Sequence, residues 1–296
     1  MIRTVRDIRS WGKPVVAVFC IVCLVVFIRN LSVSWNDVSA SISSFLRRPW
    51  LVTVEVALMI LNIGVESARW RCVRRAFTQG SWADDVKASL RGVSLGNVTP
   101  GNVGEHVGRA SSYSEHGKAG AASVLSSVLQ TAVISLMGGI ASLCLARAEG
   151  GHTVAIVGFG VFTVLAFFVI FCGESLLGKM GVSVRRSRGL CMAALVNVLK
   201  VCVFSFQFAF LLNGGMWPSL IIFESTLLYY FLITVIPRVN LIDVGVKGGV
   251  ASWVFGSGLC PAVTVNAAVI FIWVLNIVLP SIVGFATFVI RRKVSQ

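Results

Sequence analysis

The chain has 296 residues, of which 56% are hydrophobic and 13% charged, with a mean hydropathy of +0.86. A soluble domain carries roughly a quarter charged residues, so this composition leaves too little polar surface for a soluble fold. The net charge of +14 could suit a nucleic acid, but no basic patch interleaved with aromatics occurs. Clustering of bases in short cytoplasmic loops explains the charge better.

Residues 1–13 are basic and precede an apolar run at 14–31. This resembles a secretory leader. The SVS that follows is a weak cleavage match with Arg29 just before it, so the run reads as a retained first helix. Residues 32–49 read as an interfacial helix. Further apolar runs cover 50–68, 119–146, 152–173, 189–213, 217–236 and 262–290. About 20 apolar residues suffice to span ~30 Å of hydrocarbon. Two stretches, about 86–110 and 238–260, are apolar but broken by glycine, proline and charge. The expected fold class is an all-α polytopic integral membrane protein. It has about seven or eight transmembrane helices and one or two re-entrant or broken helices, which leaves room for an inverted repeat. The whole of 1–296 reads as one transmembrane unit.

Arg3, Arg6, Arg9 and Lys13 place the N-terminus in the cytoplasm, and Arg69, Arg71, Arg74 and Arg75 follow two crossings later. Lys179, Arg185, Arg186 and Arg188 mark another inner loop, and Arg291, Arg292 and Lys293 an inner C-terminus. The chain must therefore enter and leave on the same side over 86–117, which predicts a re-entrant hairpin. Non-helical backbone at membrane depth is tolerated where protein or a water-filled cavity surrounds it. With seven clear spans and both termini inside, 238–260 should cross, although charge alone does not settle its path. The expected location is the cell (inner) membrane.

Most of the eight cysteines lie inside apolar runs and read as packing residues, the CxxC of Cys20 and Cys23 included. The three histidines form no metal-binding spacing. No metal, cofactor or catalytic constellation is expected, and the chain does not read as an enzyme.

The two broken stretches share a pattern. The first, "PGNVGEHVGR", has Pro100, then Glu105, Gly108 and Arg109; the second, "PRVNLIDVGVKGG", has Pro237, then Asp243, Gly245 and Lys247. In each, an acid precedes a base by four residues, so the two can meet on one helix face. Proline suits a helix start. Interrupted segments in corresponding positions of two halves point to a transporter site. The stretch "LGNVTPGNVGEHVGR" resembles the N-x-x-P-G-x-x-G-E-x-x-R signature of the lysylphosphatidylglycerol synthase transmembrane region, a flippase-like family. Asn97, Pro100, Gly101, Gly104 and Glu105 match in register, while the base falls one residue late, at Arg109. The second motif of that family often reads P-G-G-x-G-x-x-E; here Pro237 stays and Asp243 stands for the acid. The resemblance implies a phospholipid-flippase-like protein that lacks the soluble aminoacyl-transferase domain, so lysyl transfer to lipid is not expected.

Other polar residues lie inside the runs. Glu55, Asn62 and Glu66 fall within about 40° of one another on a helix, with Arg69 near the same face. Lys200 lies near the centre of its span, with Asn197 and Gln207 on roughly the same side. A lone lysine there costs at least ~2.5 kcal/mol; Glu224 in the next span is a candidate partner for a structural ion pair, and the alternative is a base that meets an anionic lipid headgroup. Glu66 and Arg69 could also form a solvated pair at the interface. Trp50, Trp70, Trp217, Tyr229 and Tyr230 read as interfacial anchors.

The leading expectation is a protein that binds or translocates an anionic phospholipid. Arg109 and Lys247 would face phosphate, each held by its acid, in a cavity built by 86–117 and 237–260. Membrane lipids are the expected partners, and nucleic acid is not; an enzyme partner or self-association stays open. The rival readings are a small-solute or proton-coupled transporter using Glu55 and Glu105, and a non-transporting subunit that presents lipid to an enzyme.

Overall fold

The computed structural model describes residues 35–149, 159–164, 188–236, 243–256 and 258–294. The expected span at 14–31, most of 152–173, the basic N-terminus, the 179–187 loop and Pro237 lie outside the described residues. All regular structure among the described residues is helical. The elements used below are α1 (Trp35–Leu46), α2 (Pro49–Arg74), α3 (Trp82–Val98), a 3-10 turn (Pro100–Asn102), α4 (Val103–Ala110) and α5 (His116–Glu149). They continue with α6 (Arg188–Leu212), α7 (Leu220–Val235), α8 (Asp243–Phe255), α9 (Ala262–Trp273), a π turn (Val274–Val278) and α10 (Leu279–Val294).

Among the described residues, four helical stretches are long and apolar enough to cross a membrane: Pro49–Arg74, His116–Leu145, Gly189–Leu212 and Ala262–Val289. The run expected at 217–236 gives a helix of 16 residues, and α8 one of 13. At 1.5 Å per residue these reach ~24 Å and ~20 Å, short of a full ~30 Å crossing. Asn213 ties down the start of the former run by donating its amide to the Trp217 carbonyl at 2.8 Å, and Ser219 caps α7.

The last long stretch is interrupted in a way the apolar count did not anticipate. Pro280 lacks an N–H, and its ring conflicts with the carbonyl four residues back. The ladder widens ahead of it: Leu279 N–H bonds to the Val274 carbonyl, five residues away. Such π turns recur at functional sites, and this one carries Asn276.

α2 packs along α6, α5 along α7, and α3 against both α4 and α10. Burial corrects part of the anchor reading. Trp50 and Trp217 are exposed, but Trp70 and Tyr229 are buried in the protein. The indole of Trp70 donates to Tyr113 Oη (2.8 Å), which donates to Asp85 (2.7 Å). Asp85 is also gripped by Arg74 through two bonds of 2.8 and 3.0 Å.

Candidate functional site

The first broken motif is a closed hairpin. α3 starts at a capping box in which Ser81 Oγ accepts from Asp84 N–H and the Asp84 carboxylate accepts from Ser81 N–H. It ends where Pro100 follows Thr99, whose extended backbone (φ −114°, ψ 138°) is the conformation a pre-proline residue favours. Gly101 and Asn102 then turn through the left-handed region, at φ 64° and 62°. Glycine does so freely, and asparagine is among the few other residues that tolerate it. Thr99 Oγ1 accepts from Gly104 N–H at 2.7 Å and so starts α4. The Tyr113–Asp85 bond brings the chain back beside the start of α3, so both ends of the hairpin lie at one end of the fold.

Glycines let the two arms touch. A methyl at Gly104 would overlap the Leu95 main-chain oxygen, and one at Gly108 the Arg91 oxygen. From the other side, Gly92 and Gly96 receive Arg109 and Asn102. Small residues four apart on both arms are the usual device for close approach of helices in a membrane. α3 is also tied to α10: Asn97 Nδ2 donates to Ser281 Oγ, and Ser94 Oγ to the Ser281 carbonyl, both at 2.8 Å.

This packing aims Glu105 and Arg109 into a cavity of about 250 Å³. Asn62, Glu66, Lys200 and Lys247 also line it. Glu66 is the hub. Its Oε1 accepts from Arg69 Nη2 at 2.5 Å and from Arg109 Nη2 at 2.6 Å. Its Oε2 accepts from Arg69 Nε at 3.1 Å and from Lys200 Nζ. Arg109 Nη2 also bonds Glu105 Oε1 at 2.5 Å, and Asn102 Nδ2 donates to Glu105 Oε2. Arg69 Nη1 donates to the Ser126 carbonyl at 2.7 Å. Three cations thus face two carboxylates. Nε and Nη1 of Arg109 are buried without a hydrogen-bond partner among the described residues, and its guanidinium lies 5.2 Å from the Trp70 ring centre.

The expected i, i+4 pair of Glu105 and Arg109 is present, and it has been drawn into a larger cluster. Two expectations change. Lys200 pairs with Glu66 rather than Glu224, which sits half-buried on α7. Glu66 and Arg69 are not a solvated interface pair: Arg69 is fully buried and Glu66 is 7% exposed. A charge in the middle of the bundle selects a partner across helices, and sequence neighbours do not reveal it. Glu55 shares the α2 stripe with Asn62 and Glu66 but does not line the cavity; it is fully buried. Of the second motif, Asp243 begins α8 with its side chain outside the described residues, Gly245 is buried, and Lys247 reaches the cavity. Residues of both motifs therefore reach one cavity.

Sequence reasoning missed Arg69 as a buried member and the amide pair Asn276–Gln207 (2.7 Å) beside the cavity. Pro280 within an apolar run was the available signal for the second. The far side of the cavity is apolar, with Phe204, Phe208, Ile272 and Ile277.

Residues 13–189 match the model of one protein family, described as the lysylphosphatidylglycerol synthase TM region. The matched range holds α1 to α5 and the whole first hairpin, while the second motif lies beyond it. No curated protein matches the chain. The matched range covers more than half of the sequence, and the chain is a multi-pass membrane protein that belongs to the family of the lysylphosphatidylglycerol synthase TM region.

Proposed function

We propose that the protein is flippase-like: it holds the headgroup of an anionic phospholipid in the cavity and passes it across the cell membrane. The family links the chain to lipid handling. The observation that carries the finer reading is the state of Arg109. Its guanidinium lines a cavity with one positive charge in excess, and two of its nitrogens have no partner among the described residues. A planar guanidinium can offer two donors to one phosphate. Drug-sized sites occupy roughly 300–1,000 Å³, so about 250 Å³ fits a headgroup and leaves the acyl chains in the bilayer. The apolar wall suits the first part of those chains. On this reading both termini are cytoplasmic, and the protein makes or breaks no covalent bond.

Purified protein reconstituted in vesicles with fluorescent phosphatidylglycerol tests this, with a membrane-impermeant quencher reporting exchange between leaflets. The expected result is faster exchange than in protein-free vesicles, reduced by Arg109→Lys, which keeps the charge but loses the fork. Exchange equal to protein-free vesicles, together with no copurified anionic lipid by native mass spectrometry, would overturn the proposal.

A further inference from the structure

We propose that Glu55 is a proton-exchanging site that communicates with the cavity through Gln207 and Asn276. Glu55 is 0% exposed, and neither carboxyl oxygen makes a hydrogen bond of good geometry among the described residues, with the Gln207 amide beside the carboxyl. An unpaired carboxylate in that position is disfavoured, because burial strips away the water that would solvate its charge. Intramembrane carboxyls without a cation are the groups that proton pathways use.

No lysine or arginine among the described residues is bonded to its carboxyl, and Lys247 of α8 lines the cavity, which Glu55 does not. Gln207 of α6 donates its amide to the Glu55 main-chain oxygen at 3.1 Å. Tyr230 of α7 is its titratable neighbour, close enough to interact electrostatically. Lys200, two turns from Gln207 on α6, is bound to Glu66. Where α3 and α5 meet α2, Arg74 holds Asp85 and Arg69 holds Glu66 and the Ser126 carbonyl. On the α1 side, Asp37 is exposed and Arg48 donates to the Gly214 carbonyl at 3.0 Å. The π turn presents Asn276.

A polar route nevertheless leads out. Gln207 Oε1 accepts from Asn276 Nδ2 at 2.7 Å, and Asn276 lines the cavity. Asn62, two turns from Glu55 on the same face of α2, lines it too. The amide oxygens of Asn62 and Asn276 have no protein partner among the described residues, so each can hold cavity water. In the exchange the carboxyl O–H bond breaks, its electron pair stays on oxygen, and a water molecule takes the proton to give hydronium; protonation is the reverse. Acid keeps the packed, neutral form. Alkali yields a carboxylate that requires water or a cation beside it.

Infrared difference spectroscopy of the full-length protein in nanodiscs, titrated from acid to alkaline pH without the lipid substrate, reads the carboxylic-acid carbonyl band. The expected result is a band present in acid and lost reversibly as pH rises, missing in Glu55→Gln and moved in Glu55→Asp. The aspartate variant keeps the test decisive if the glutamine variant fails to fold. Three results would overturn the proposal: no such band at any pH, a Glu55 band that persists through the whole titration, or a carboxylate signal set by sodium ions. Since no lipid transport is measured, failure here leaves the headgroup reading untouched, and failure of that reading leaves this one standing.

Discussion

Replacing Glu66 with glutamine should be among the most damaging conservative changes in the chain. Glutamine keeps the shape but removes the charge that Arg69, Arg109 and Lys200 share. The side chains of these cations are 0%, 3% and 13% exposed, so bulk water replaces the lost carboxylate poorly. Breaking a buried pair by removing one partner costs about 3–5 kcal/mol, or two to three and a half decades in the unfolding constant at about 1.4 kcal/mol per decade. At roughly 2–4 °C per kcal/mol for large domains, the melting temperature should fall by on the order of 10 °C. Melting in detergent, followed by intrinsic tryptophan fluorescence, reads this directly. Glu115→Gln is the control, because its pair with Lys118 is 41–43% exposed and screened by solvent. The double variant Glu66→Gln/Lys200→Met should melt above Glu66→Gln alone, since it removes one stranded cation. Equal melting of Glu66→Gln and Glu115→Gln would refute burial of the cluster and the role of Glu66 as its hub.

Gly104→Ala should separate α4 from α3 and lower the melting temperature, because its methyl would meet the Leu95 carbonyl. Gly117→Ala, with open space around it, should raise stability by a few tenths to ~1 kcal/mol. The Asp84 carboxyl is held below its usual range first by the Ser81 hydroxyl, with its backbone N–H adding to this. Its stabilising effect is therefore present above the ordinary aspartate value and is lost as pH falls through the lowered one. The melting difference between wild type and Asp84→Asn should shrink over that acid range, and a constant difference would refute the capping role. Single cysteines at Ser81 and Ser114, in a background without reactive cysteine, should share one accessibility to an impermeant thiol reagent in intact cells. Labelling of one alone would break the hairpin topology.

The first hairpin was legible because its signals are local. Proline, glycine and asparagine in sequence cannot continue a helix, and each acts within a few residues of its own position. The i, i+4 pair of Glu105 and Arg109 is local in the same sense. Lys200 was not legible in this way: its partner lies 134 residues earlier, and periodicity gives the face a residue occupies but not the helix opposite. Trp70 and Tyr229 misled for a related reason. In a chain where nearly every helix face is apolar, amphipathicity no longer separates lipid-facing from protein-facing positions. The π turn was hidden inside a run that hydropathy scored as uniform, although Pro280 alone removes a donor from its ladder.

The cluster's cations differ in how readily they could turn to an incoming anion, and the order follows from their bonds. Arg69 is spent: its nitrogens bond both oxygens of Glu66 and the Ser126 carbonyl, and it is fully buried. Arg109 is half spent, with one nitrogen shared between two carboxylates and two without partners among the described residues. Lys200 meets Glu66 from the opposite helix and lines the cavity at the end of a flexible stem. Those two nitrogens of Arg109 are buried, and an anion that reached them would bond Arg109 without breaking either of its carboxylate pairs. It must compete with Glu66 for Lys200. Arg109 is also the member braced from behind, since the glycine contacts and the Asn97–Ser281 and Ser94–Ser281 bonds fix the hairpin that carries it. On the proposed reading, a fixed donor with spare valence would set where a headgroup sits, while a cation shared with a carboxylate would set how tightly it is held. The interrupted helix supplies the first and the apolar span opposite supplies the second.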